Sequence, residues 1–152
     1  MRLKVKLIST MVLLAAFLSL SLIGTAYASD NLSVTGLYEL DVKKGKMSID
    51  LDSSWNQSVT LGKKEKPVFQ WYIASTPLDQ GPPTMYSTDW TYFKTTYASN
   101  SYGTWSSKLK TKINVKNILG QYDPNKAYWI GVQVQISPTR QIVDYQYPIP
   151  KN

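Results

Sequence analysis

The 152-residue chain contains no histidine and no cysteine. Those two absences exclude a Ser/His/Asp triad, a Cys/His nucleophile pair and any zinc site built from His or Cys ligands. Thiol redox chemistry and His- or Cys-ligated haem go with them. Acid is also scarce, with 10 Asp and Glu against 17 Lys and Arg. No cofactor is expected, and catalysis would be confined to carboxylates.

Only one long hydrophobic run is present, and it sits at the N-terminus. Arg2, Lys4 and Lys6 precede an apolar stretch from Leu7 to Ile23, and Ala26-Tyr27-Ala28 follows. A cationic start, an apolar middle and a small-x-small triplet are the three parts of a secretory signal. The run of 17 residues is short of the roughly 20 that span a bilayer. The sequence therefore predicts a leader over residues 1–28, cleaved after Ala28, and one working domain over 29–152. Without Arg2, Lys4 and Lys6 the balance becomes 14 basic against 10 acidic residues, a net charge of +4. That is ordinary for a small domain, so no nucleic-acid partner is expected. Small secreted domains often rely on disulfides; a cysteine-free one must stand on its apolar core, which is attainable at this length. The composition points to a secreted protein of a Gram-positive bacterium. No lipobox cysteine and no hydrophobic tail after Pro148 are found, so free release is expected, with no membrane role beyond export.

The domain reads as strands. Ten tyrosines and five tryptophans accompany many Val, Ile and Thr residues, all good β-formers. Strand regions are expected at Leu32–Val42, with Gly36 as a bulge, and at Met47–Asp52, where Met47, Ile49 and Leu51 alternate with Ser48, Asp50 and Asp52. Others are expected at Ser58–Leu61, Val68–Ser75, Asp89–Thr95, Trp105–Val115, Tyr128–Ile136 and Gln141–Tyr147. A turn is expected at Ser99–Gly103 and a single helical turn at Lys116–Gly120. Seven or eight short strands with turns between them indicate an all-β fold, a single antiparallel β-sandwich or barrel.

The segment Tyr122-Asp123-Pro124-Asn125-Lys126-Ala127-Tyr128-Trp129-Ile130-Gly131-Val132-Gln133-Val134 sharpens this. It resembles the E–F corner and F strand of fibronectin type III-like and immunoglobulin-like sandwiches, with Tyr122 where those usually have Leu. Phe69-Gln70-Trp71-Tyr72-Ile73 is similar to their C strand. The resemblance covers about a quarter of the domain and implies that Tyr128 is a structural tyrosine whose hydroxyl bonds back to the corner backbone. It implies an architecture and no activity.

Candidate sites follow from which way the strands face. Asp50 and Asp52 lie on one strand face about 7 Å apart, a tolerable spacing for paired carboxylates, but they read as a solvated sheet face. Asp50–Asn56 has oxygen donors at alternate positions yet lacks the glycine and terminal acid of a calcium loop. The aromatic residues carry more. With Tyr128 and Phe69 inward, Trp129, Tyr72, Gln70 and Gln133 face outward, and the same count on the last strand puts Asp144 and Gln146 beside them. A ring flanked by amides suits a sugar: the ring stacks on C–H groups and the amides satisfy hydroxyls. A second cluster, seven aromatics between Thr84 and Trp105, includes Trp90, Tyr92 and Tyr102 in a Ser/Gly/Asn-rich context like that of recognition loops. Two functions are carried forward. One is a secreted, non-enzymatic binding protein for a glycan or cell-surface polymer. The other is a protein-directed factor, such as a toxin, inhibitor or adhesin, that uses the 84–105 loop. A membrane-active protein and a carboxylate enzyme are retained as further readings.

Overall fold

The computed structural model describes residues 31–139 and 141–148, so the expected leader and its cleavage site lie outside the described residues. The chain forms β1 (Leu32–Asp41), β2 (Lys46–Asn56), β3 (Lys66–Pro77), β4 (Thr91–Tyr97), β5 (Ser99–Ser101), β6 (Thr104–Asn114), a one-turn helix α1 (Val115–Leu119), β7 (Lys126–Ser137) and β8 (Gln141–Gln146). The strands make two four-stranded antiparallel sheets, ordered β1-β2-β6-β5 and β4-β3-β7-β8. The all-β expectation holds.

Strict alternation builds the core. In β2, Met47, Ile49, Leu51 and Trp55 are buried, while Ser48 and Asp52 are exposed. Facing them from the second sheet are Phe69, Trp71 and Ile73 of β3 and Ile130, Val132, Val134 and Ile136 of β7, all in one apolar cluster. This is how a period of two sorts a half-buried strand. The helix α1 is fixed at both ends. The Asn114 side chain accepts from the Lys116 N–H, and Gly120 closes the turn at φ +77°, in the usual capping pattern.

Three local expectations fail. Ser58–Leu61 forms no strand; Val59 and Leu61 instead pack onto the core from a loop. Gly36 makes no bulge, because the β1–β2 register runs through it unbroken. The Ser99–Gly103 turn is mostly strand: Ser99–Ser101 pairs with β6, and only Tyr102 and Gly103 turn.

The corner before β7 is built as the sequence implied. The Tyr128 hydroxyl donates to the Asp123 carbonyl at 3.0 Å and accepts from the Asp123 N–H at 2.8 Å. Tyr122 stacks on Tyr128 with ring centroids 5.5 Å apart and donates to the Val42 carbonyl. Gly45 leaves room for it: a Cβ there would lie 2.8 Å from the Tyr122 ring. Tyr128→Phe keeps the ring and removes both bonds, so it should lower the unfolding free energy by about 1–2 kcal/mol, read as a lower urea midpoint at unchanged slope.

Candidate functional site

The two sheets present chemically different outer faces. On the first sheet, Asp50, Asp52, Lys108, Lys110 and Lys112 line up on adjacent strands by register. Lys108 Nζ lies 2.9 Å from Asp50 and 3.3 Å from Asp52, and Lys110 Nζ lies 3.2 Å from Asp50. Hydrogen bonds from Lys108 and Lys110 hold the Asp50 carboxyl below its usual range. The two acids are thus paired with lysines on an open sheet, worth little each in stability. They lie within β2, not in a calcium loop, and among the described residues no cluster of acidic groups could hold a metal.

The outer face of the second sheet is uncharged over its centre. From Val68 to Thr76 on β3 and from Trp129 to Gln135 on β7, the outward residues are Val, Gln, Tyr, Ala, Thr, Trp and Gly. Gln70, Tyr72 and Gln133 stand there as the sequence indicated. The Tyr72 hydroxyl donates to Gln70 Oε1 at 2.8 Å. Tyr92 of β4 pairs with Tyr72 in register, their rings edge to face at 5.8 Å, and its hydroxyl shares a 2.8 Å bond with Thr95. Tyr92 is 51% exposed.

Asp144 is not on this face. It is buried, and it accepts a hydrogen bond from the Trp55 indole N–H of the opposite sheet and one from the Ser58 hydroxyl. A bulge causes the difference. Val134 pairs with Asp144 but Gln135 pairs with Ile142, leaving Val143 as an extra residue. One inserted residue reverses the facing of everything beyond it. Gln146 therefore turns inward opposite Val132, and Tyr145 turns outward opposite Gln133. The sequence count, which assumed a regular strand, missed Tyr145 for this reason.

The 78–90 loop folds over part of the same face. Met85 is buried, and the Trp90 ring stacks on Tyr147 with centroids 5.5 Å apart and planes 16° apart. Tyr147 meets Tyr145 at 5.9 Å, and Tyr145 meets Tyr86 at 5.9 Å. Gly131 makes the seat: a Cβ there would lie 2.9 Å from Trp90 and 3.3 Å from Met85. A glycine within a strong strand marks such a close approach, the one sequence signal that this face is partly covered. Trp90 donates its indole N–H to the Thr84 carbonyl, and Trp129 donates to the Thr76 hydroxyl.

None of the five tryptophans is exposed. Trp55 and Trp71 are fully buried, and Trp90, Trp105 and Trp129 are half-buried. The exposed rings are tyrosines: Tyr86 at 79%, Tyr97 at 79% and Tyr102 at 105% of full exposure, besides Tyr92. Nor is 84–105 one loop, since it runs through β4, β5 and the start of β6. Tyr92 belongs to β4 of the second sheet and Trp90 to the loop just before it, whereas Tyr102 tips the β5–β6 hairpin of the first sheet.

Burial pushes the Tyr147 phenol up to about 12, with Tyr145 adding and the Met85 N–H opposing. Burial, then Tyr92, also raises Tyr72; burial raises Tyr38 further still. Folded values above the unfolded value of about 10 mean that the unfolded chain loses its protons first. The contribution is complete below pH 10 and is lost as pH rises through the folded values. Urea midpoints should be level from pH 8 to about 9.5 and then fall toward pH 12, and Tyr147→Phe should make that fall shallower.

Comparison of the chain with protein-family models, with curated proteins and with solved structures finds no match in any of the three. The chemistry of this face rests on its own residues.

Proposed function

We propose that the chain is a secreted, non-enzymatic binding protein of immunoglobulin-like or fibronectin type III-like architecture. It holds a glycan or cell-surface polymer on the outer face of the β4-β3-β7-β8 sheet. The orders β1-β2-β6-β5 and β4-β3-β7-β8 support the architecture, because they follow the A-B-E-D and C′-C-F-G arrangement of such sandwiches. The Tyr128 corner supports it independently. A single observation carries the binding reading: tyrosines and amides occupy a sheet face that is uncharged over its centre, while the opposite face is laced with ion pairs. Tyrosine rings offer flat apolar area with a polar rim at low entropic cost, which is what a sugar ring with C–H faces and hydroxyl edges requires.

The stacking residues in this reading are Tyr72, Tyr92 and Tyr86, with Gln70 and Gln133 as hydrogen-bonding groups. Trp129 and Trp90 support the face, since their indole N–H groups are already bonded within the chain. Residues 29–152 should be retained on at least one member of an insoluble polysaccharide panel. Tyr72→Ala with Tyr92→Ala should abolish that retention, whereas Ser48→Ala on the first sheet should leave it unchanged. Retention that survives the tyrosine pair would reject this face.

One observation favours the protein-directed reading. Tyr102 stands at φ +52° in the two-residue turn between Ser101 and Thr104, and its ring is wholly exposed. Such a turn prefers Asn or Gly, and a bulky residue there costs about 1 kcal/mol. Tyr102→Gly should therefore raise stability by up to about 1 kcal/mol. If Tyr102 inserts into a protein partner, the same change removes pull-down of that partner; unaltered pull-down assigns no role to the ring.

A further inference from the structure

The second sheet's outer face is ordered in rows that cross the strands. Thr95, Gln70, Gln133 and Tyr145 fall on one line through β4, β3, β7 and β8. Tyr92, Tyr72 and Gly131 form the next row on one side, and Tyr97, Val68, Gln135 and Ile142 the next on the other. The central row is thus polar and uncharged, with tyrosines beside it.

Gln133 lies at the middle of that row and is only 7% exposed. Among the described residues no hydrogen bond holds its side-chain amide. Its amide is not sealed from solvent, because the buried side-chain polar atoms without a partner among the described residues are the Tyr38 hydroxyl and Gln146 Oε1; the little of Gln133 that is exposed therefore includes an amide that a ligand can reach. Its neighbour Gln70 has its carbonyl oxygen occupied by Tyr72, which fixes the side chain and leaves Nε2 as a donor. Tyr145, half-buried, adds a hydroxyl at the far end, with Tyr86 against its ring. Donors and acceptors therefore repeat from strand to strand. At a strand spacing of about 4.8 Å the row is about 14 Å long, room for about three sugar rings end to end.

We propose that the ligand is a single neutral polysaccharide chain lying across the strands along Thr95, Gln70, Gln133 and Tyr145, with the Gln133 amide as its central hydrogen-bonding contact. The inference rests on the glycan reading of this face and names its ligand class and orientation. An acidic polymer finds no counter-charge in the row. A peptide seeking strand pairing finds no free backbone on a sheet face, since the free backbone groups lie at sheet edges. Vicinal hydroxyls, by contrast, can each donate to and accept from one amide. The tyrosine row gives the chain a wall to stack on.

The test uses residues 29–152 with soluble neutral polysaccharides (a β-glucan, a mannan, an α-glucan), their oligosaccharide series, and polygalacturonate, all by titration calorimetry. Gln133→Leu should weaken neutral-polymer binding at least tenfold, and Gln133→Glu should weaken it too. The thermal midpoint of Gln133→Leu should stay near or above that of the parent, so that lost binding is not lost folding. Affinity should rise with oligosaccharide length to about three or four rings and then level off. Binding that survives both Gln133 changes but is lost in the Tyr72/Tyr92 pair would overturn the row and leave the tyrosine face standing. Tighter binding to polygalacturonate would overturn the neutral class. No binding by the parent to any glycan, or capture of a protein through this face instead, would overturn the glycan reading itself.

Discussion

The hydrogen bond from the Trp55 indole to Asp144 joins β2 of one sheet to β8, an edge strand of the other. A carboxylate in that position, left without partners, would cost several kcal/mol. The Trp55 N–H and the Ser58 hydroxyl meet that need. Asp144 can face inward only because Val143 is inserted ahead of it as a bulge. The same insertion sends Tyr145 to the outer surface, where it meets Tyr147 and Tyr86. A polar anchor inside the sandwich thus decides which aromatic ring stands outside it.

The other edge of that sheet repeats the device. In β4 the register slips between Lys94, paired with Trp71, and Tyr92, paired with Tyr72, so that Phe93 is the extra residue and packs toward the core. Tyr92 and Thr95 consequently share the outer face despite an odd separation in sequence. Bulges in edge strands also discourage edge-to-edge aggregation by disturbing the ladder. Here both edges of one sheet use a bulge, and both place a tyrosine on the same face.

These insertions mark the limit of what the sequence discloses. β2, β3 and β7 were legible because each alternates without interruption and each is paired along its whole length. The tyrosine corner was legible because Tyr122, Pro124 and Tyr128 stand close in sequence. The outward placement of Gln70, Tyr72 and Gln133 followed from the same alternation. Asp144 was misplaced because a period-two count contains no information about an extra residue, and Tyr145 was lost with it. Trp90 and Trp129 drew attention as large rings near polar ones, yet Trp90 folds back with the 78–90 loop over Gly131, and Trp129 spends its indole N–H on Thr76. Composition could not place that loop; only Gly131 hinted at it. Ser58–Leu61 has the residues of a strand but lies in the crossover from β2 of one sheet to β3 of the other, where Val59 and Leu61 pack onto the core instead.

The arrangement also bears on how tightly such a face could bind. Ordering a flexible side chain at an interface costs about 0.5–1.5 kcal/mol, and the rings and amides here are largely ordered by folding. Tyr72 is tied to Gln70 and held against Tyr92, whose own hydroxyl is tied to Thr95. Tyr86 is braced on Tyr145, which leans on Tyr147, which stacks on Trp90 seated over Gly131. Each contact is weak, about 0.5–1.5 kcal/mol for an aromatic pair, but together they fix the directions in which five tyrosines point. On the first sheet the lysines and aspartates are instead exposed and meet in solvated ion pairs, which hold long side chains only weakly. This chain of rings lies on the face that is uncharged over its centre, and that is where a ligand would gain from finding its partners already in place.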